Sequence, residues 1–113
     1  MRNETRNTVL GDCIRVANSS AARRTGLLKH RSLEPGQGMW IIPSQSVHTF
    51  FMKFAIDLIY LDRRKKVRKV RHAVPAWRIS GCLTAHSVLE LPAGAAKATG
   101  TEAGDQLAVE KLL

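Results

Sequence analysis

Apolar and polar positions fall into short blocks along this chain, punctuated by glycine and proline. Val9 to Val16, with Val9, Leu10, Ile14 and Val16 as its apolar members, predicts a first strand. Asn18, Ser19 and Ser20 then offer helix N-caps. A short helix is expected through Ala21, Ala22, Arg23 and Arg24 toward Leu27-Leu28, ending or bending at Gly26. After the turn cluster Pro35-Gly36-Gln37-Gly38, Met39 to Ile42 predicts a strand that Pro43 closes. Val47 to Ala55 predicts the next. Period-2 alternation puts His48, Phe50, Met52 and Phe54 on one face and Val47, Thr49, Phe51 and Lys53 on the other. Both faces are largely apolar, so this strand is expected at the centre of a sheet.

Ile56 to Leu61 and Lys66 to Val74 read as the arms of a hairpin turning at Asp62-Arg63-Arg64-Lys65. The turn lacks the Gly or Asn of a tight two-residue connection, which predicts a longer loop. Pro75 to Gly81 reads as a connecting loop, and Ser87 to Leu91 as a strand stopped by Pro92. In that strand, alternation predicts that Glu90 points outward between Leu89 and Leu91. A short helix through Ala95, Ala96, Lys97 and Ala98, closed by Gly100, and a last strand from Gln106 to Leu112 complete the pattern. The fold class predicted is mainly β: a single antiparallel domain, barrel-like or a folded sheet, with two short helices. Its core is expected to draw on Val9, Ile14, Leu27, Met39, Ile41, Phe51, Met52, Ile59, Leu61, Val88, Leu89 and Leu91.

At 113 residues the chain holds one domain, expected over residues 8–113 behind a polar tail at 1–7. No run approaches the roughly 18–20 apolar residues of a membrane-spanning helix. No leader is legible either, so a full-length chain would be expected in the cytoplasm. Cys13 and Cys82 belong to no CxxC pair and are expected as free, buried thiols in a reducing compartment.

Gly38-Met39-Trp40, His48 to Lys53, Ile56 to Asp62 and Val88 to Gly94, taken in order, resemble a bacterial and archaeal family known as domain of unknown function 192. Arg24-Thr25-Gly26-Leu27-Leu28 is similar to the family's Arg-x-Gly-Leu block. Pro75-Ala76-Trp77-Arg78 with Cys82 resembles a loop of one branch, and Gly100 with Gly104-Asp105 resembles the closing signature. The sequence departs from the family where Ala55 replaces a frequent Pro, and where Arg64 and Lys65 occupy a turn that usually contains Gly. The resemblance implies a fold, and it implies no activity.

Within that frame, Lys53 and Asp57 are the polar members of an apolar block. They read either as a groove meeting an anion, or as a structural pair in which Asp57 accepts backbone N–H groups. His48, near neutral in its unperturbed pKa, reads as an acid-base group or as a hydrogen-bonded strand residue. Cys82-x3-His86, with Cys13, His30 and His72 elsewhere, is too loose a set for a closed zinc site, and no metal or cofactor is expected. No Gly-rich phosphate loop, dinucleotide fingerprint or nucleophile elbow is present.

The net charge of +9 is local: Arg63, Arg64, Lys65, Lys66, Arg68, Lys69 and Arg71 supply seven of the positive charges, leaving +2 elsewhere. Positive residues occupy both faces of this arm, which predicts an edge or projecting strand. Such a strip reads as a site for nucleic acid or an acidic protein, or equally as a solvated hairpin with no partner. Trp77 is the one aromatic residue that closely follows it, so the sequence shows no platform for stacking bases. The reading is thus a non-enzymatic binding module with a groove near Met39, Trp40, His48, Phe51, Lys53 and Asp57. The alternatives are electrostatic nucleic-acid binding through residues 63–71, and an enzyme using His48, Lys53 and Asp57.

Overall fold

The computed structural model describes residues 1–27 and 30–110. Its elements are β1 (Arg2–Asn3), β2 (Thr8–Val9), β3 (Cys13–Ala17), α1 (Ser20–Thr25), β4 (Gln37–Ile41), β5 (Ser46–His48), β6 (Ile56–Leu61), β7 (Val67–Val74), β8 (Ile79–Gly81), β9 (Ser87–Pro92), α2 (Ala95–Thr99) and β10 (Leu107–Ala108). The domain is mainly β, with two short helices and a five-stranded sheet in the order β3-β4-β9-β6-β7. All its pairs are antiparallel except β3–β4, which run parallel because α1 and the following loop return the chain to the same end of the sheet. A three-stranded sheet β10-β1-β2 and a two-stranded ribbon β5-β8 complete it.

The two central strands explain where the core lies. Every residue of β6 is buried, and β9 is buried from Ser87 to Leu91. Their side chains alternate between two apolar clusters. Ile56, Leu58, Tyr60 and Val88 pack with Met39, Ile41, Leu27 and Met52 on one face. Ile59, Leu61, Leu89 and Leu91 pack with Val67, Ala96 and Leu107 on the other. Each large apolar side chain buried this way contributes about 1.5–3 kcal/mol before chain entropy is charged against it.

Several local features follow the sequence pattern. Ser19 caps α1 by accepting the Ala22 N–H, and Gly26 closes the helix at φ +47°. Gly100, at φ +68°, closes α2. The β6–β7 connection is longer than two residues: Asp62 Oδ1 accepts the N–H groups of Arg64 and Lys66, and Lys65 takes the left-handed conformation at φ +64°. β7 is an edge strand bearing two bulges. Ile56 to Leu58 faces Val74 to Arg71, and Tyr60 to Leu61 faces Lys69 to Val67, with one extra residue on β7 each time.

Other expectations are corrected. The stretch Val47 to Ala55 is not a central strand. Only Ser46–His48 is extended, paired with β8, and the chain then turns at Phe51, whose φ is +65°. Thr49, buried, ties that turn to residues 75–78, so Phe51 is exposed rather than in the core, as is Val9. The first predicted strand is broken into β2 and β3 around Gly11, where a Cβ would stand 2.7 Å from the Gly36 carbonyl oxygen. Residues 75–81 include β8. The residues read as an N-terminal tail are instead part of the domain. Arg2 and Asn3 pair with both β2 and β10, and buried Asn3 donates to Thr101 Oγ1 and Asp105 Oδ2. A polar composition hid this, because the β10, Thr101 and Asp105 partners lie about a hundred positions away. The last strand is Leu107–Ala108; Leu28 and residues 111–113, included in the expected helix, last strand and domain, lie outside the described residues. Among the described residues no helix is long and apolar enough to cross a membrane.

Candidate functional site

The block read as a groove is spread over the molecule. Met39 and Trp40 are neighbours on β4 and face opposite sides of the sheet. Met39 is buried in one core cluster, while Trp40 packs on the other and donates from Nε1 to Ser87 Oγ at 2.9 Å. Asp57 is fully buried. Its Oδ1 accepts the Ala73 N–H at 2.8 Å, and its Oδ2 accepts those of Gly94 at 3.1 Å and Ala96 at 2.9 Å. One carboxylate thus holds the β7 bulge and the entry to α2 against β6. Lys53 is exposed and makes no ion pair with it. No hydrogen bond or ion pair joins any two of His48, Lys53 and Asp57 among the described residues. His48 and Phe51 belong to a different feature, an aromatic surface with Phe50 and Trp77.

Cys13 is exposed and Cys82 half-buried; both are free, and Cys82 Sγ lies 3.4 Å from Thr84 Oγ1. Among the described residues no three His, Cys, Asp or Glu side chains are gathered as a metal site would require.

The residue that sequence reasoning misplaced is Glu90. In β9 it pairs with Met39 of β4 and Leu58 of β6, so its side chain lies on the same face as those two buried residues. It is 4 % exposed, and its Oε1 has no hydrogen-bond partner among the described residues. Alternation was right about the change of face. It failed on polarity because β9 has a core on both sides, so neither face is an outside. The usable signal was already in the chain: Val88-Leu89-Glu90-Leu91 is a carboxylate inside a run too apolar for a half-exposed strand.

Glu90 opens onto a cavity of about 150 Å³. The C-terminal end of α1 (Arg23 to Leu27), the end of β4 with Pro43 and Ser44, and β5 with His48 and Met52 form its walls. At Gly26 a Cβ would lie 3.8 Å from Glu90 Oε1, in a backbone conformation that L side chains rarely adopt. Desolvation pushes the Glu90 carboxyl up to about 7. At neutral pH it is therefore divided between a neutral donor-acceptor and a buried anion, a combination frequent in binding and catalytic sites. Arg23, which donates weakly to the Asn18 and Ile42 carbonyls, and Arg24 place positive charge along the same walls.

The basic strip is partly gathered. Arg63, Arg64, Lys66 and Arg68 line a wide, open cleft of about 930 Å³ with Pro43 to Gln45 and Leu83 to His86. Arg68 is held there by Asp62 at 3.1 Å. Lys69 instead turns to β8, donating to the Gly81 carbonyl at 2.7 Å and lying over the Tyr60 ring. Lys65 leans over Trp40 on the opposite side, and Arg71 is half-buried on β7.

This fold, with its ordered blocks, defines a family of small β domains of uncharacterised function. The profile for domain of unknown function 192, described as an uncharacterized ACR, matches residues 2–109, and the chain belongs to that family. It is 29% identical to a UPF0127 protein of Thermococcus sibiricus over 114 residues, covering 93% of this chain and 71% of the relative. A protein of unknown function from Novosphingobium aromaticivorans has a similar fold, with a TM-score of 0.75 and 20% identity over 82% of this chain and 71% of that one. So does a "putative transcription regulator" from Sinorhizobium meliloti, with a TM-score of 0.76 and 22% identity over 82% of this chain and 78% of that one. At these identities the two structures establish the fold.

Proposed function

We propose that this domain is a small-ligand binding module and that its site is the cavity of Glu90. The observation that carries the reading is a carboxyl group buried to 4 % exposure at the wall of that cavity, whose Oε1 has no partner among the described residues. A buried polar atom without a partner costs about 1–3 kcal/mol, and more when charged, so a ligand that satisfies it recovers that energy as affinity. The complementary group is a hydrogen-bond donor or a small cation. The Arg23 and Arg24 guanidinium groups favour negative charge at the ligand's other end. This reading keeps the binding module expected from the sequence and moves its site from the Lys53–Asp57 block to the α1–β4–β5–β9 junction.

The test is a titration of the ¹⁵N-labelled protein with small ammonium and guanidinium compounds and small amino acids, using acetate as an anion control. Saturable shifts at the amides of Gly26, Leu27 and Glu90, abolished in a folded Glu90→Met variant, are expected. Shifts that persist in that variant, or their absence across the whole set, would sink the reading.

A further inference from the structure

A second surface lies beyond the cavity, and it is assembled by residues far apart in sequence. Phe50 and Trp77 stack at 5.7 Å between ring centroids, Phe51 meets Trp77 edge-on at 4.7 Å, and His48 lies 5.1 Å from Phe50. Phe51 and Trp77 are 69% and 57% exposed, and Ile79, opposite His48 in the β5–β8 ribbon, is 71% exposed. Apolar area of this kind is ordinarily buried, and here it is turned to solvent as a group.

The turn residues are held in this position at a cost. Phe51 and Trp77 sit at φ +65° and +66°, a conformation disfavoured for a bulky L residue by of order 1–3 kcal/mol. Thr49 enforces it. Its N–H donates to the Arg78 carbonyl, its carbonyl accepts the N–H groups of Met52 and Trp77, and its hydroxyl donates to Pro75 O at 2.6 Å and accepts from Arg78 N at 2.9 Å. A single buried threonine thus locks two aromatic turns side by side.

The same ribbon leads to the basic cleft. Its His48–Ile79 end carries the aromatic platform, and its Ser46–Gly81 end continues into Gln45 and Leu83 at the cleft lined by Arg63, Arg64, Lys66 and Arg68. The Lys69–Gly81 bond fastens the basic edge strand beside that ribbon. Arg63, Arg64 and Lys66 make no ion pair among the described residues, leaving their charge free for a ligand.

We infer that these two features, joined by the β5–β8 ribbon, bind single-stranded nucleic acid, with phosphates in the Arg63–Arg68 cleft and bases stacked on Trp77, Phe51 and Phe50. A polyanion is required by the cleft and unpaired π-faces by the platform, and one ligand class supplies both along one chain. A duplex offers the phosphates with its bases already stacked on each other. An acidic peptide offers the charge with no matching use for the ring faces.

The experiment is fluorescence anisotropy with labelled 12-nucleotide oligo-dT and oligo-rU, a 12-base-pair duplex, and a polyglutamate competitor, each across a salt series. Micromolar binding of a single strand near physiological salt is expected, weaker for the duplex and poorly competed by polyglutamate. Trp77→Ala should weaken single-strand binding by about tenfold or more with the salt slope retained. Trp77→Phe should recover most of it, and both variants are read only with wild-type amide spectra. Changing Arg63, Arg64 and Lys66 to Ser should instead lower the salt slope by about 2. Trp77→Ala binding as tightly as wild type, duplex or polyglutamate matching the single strand, or binding lost by physiological salt would each overturn the inference.

Discussion

Asp57 and Glu90 are buried carboxyl groups on adjacent strands of the same sheet, a single register step apart, and they have opposite surroundings. Asp57 receives three backbone N–H donors from β7 and α2. Glu90 Oε1 receives none among the described residues and faces a cavity. On the binding reading proposed above, the difference separates architecture from ligand binding within one core. A carboxylate whose lone pairs are filled by the chain's own amides is committed to holding elements together. One left unfilled beside a cavity weakens the fold and is available to something outside it.

The sharpest way to break this comparison is to remove both groups in turn and compare the signs. Asp57→Ala should destabilise by about 3–5 kcal/mol, because three backbone N–H groups, that of Ala96 buried, lose their acceptor. That lowers the melting temperature by roughly 10–20 °C or more. Asp57→Asn should rescue only part of this, since its amide NH₂ must face N–H donors on one side. Thermal melts that leave Asp57→Ala within about 1 kcal/mol of wild type would remove the architectural assignment.

Glu90→Met should do the reverse above neutral pH, stabilising by up to about 3 kcal/mol at pH 8 while abolishing ligand binding. The sign follows from its titration. The folded-state value, raised to about 7 by burial, lies above the ordinary 4.5. Folding therefore takes up a proton in that interval. Glu90's contribution is most favourable below about pH 4.5 and is lost as pH rises through about 7. Urea titrations at pH 5 and pH 8 should show wild type weakening across the interval and Glu90→Met losing that slope. Equal slopes in both proteins would contradict the buried, unpartnered state.

Asn3→Ala should produce the smallest of the three effects, a loss of about 1–3 kcal/mol, through the third buried carboxylate, Asp105. Burial alone would push Asp105 up, yet hydrogen bonds from Arg6, Asn3 and the Glu102 N–H, together with the Arg6 charge, hold it below its ordinary value. Its stabilisation is present above that ordinary value and is lost as pH falls through the lowered one. Without Asn3 the acid limb of the stability curve should begin at higher pH. An unchanged acid limb would mean that the N-terminal strand does not hold Asp105.

The sequence carried the fold class, because local apolar blocks and turn chemistry act over a few residues. The hairpin of β6 and β7, the cap at Ser19, the stops at Gly26, Pro92 and Gly100, and the edge position of the basic strand are all of this kind. Membership of the uncharacterised family was legible in the ordered blocks from Gly38 to Gly94. Apart from the hint in the apolar run around Glu90, the tertiary structure decided which polar residue lies where, since a strand's alternation states that neighbours face opposite ways and says nothing of what covers each face. Hence Glu90, expected outside, is in the core, and Asp57, expected to meet a ligand or a backbone, meets three amides. Phe50 and Phe51 join Trp77 only through the hydrogen bonds of Thr49, and Asn3 meets Asp105 only when the chain's ends pair. Such partners are set by long-range packing, which no local pattern encodes.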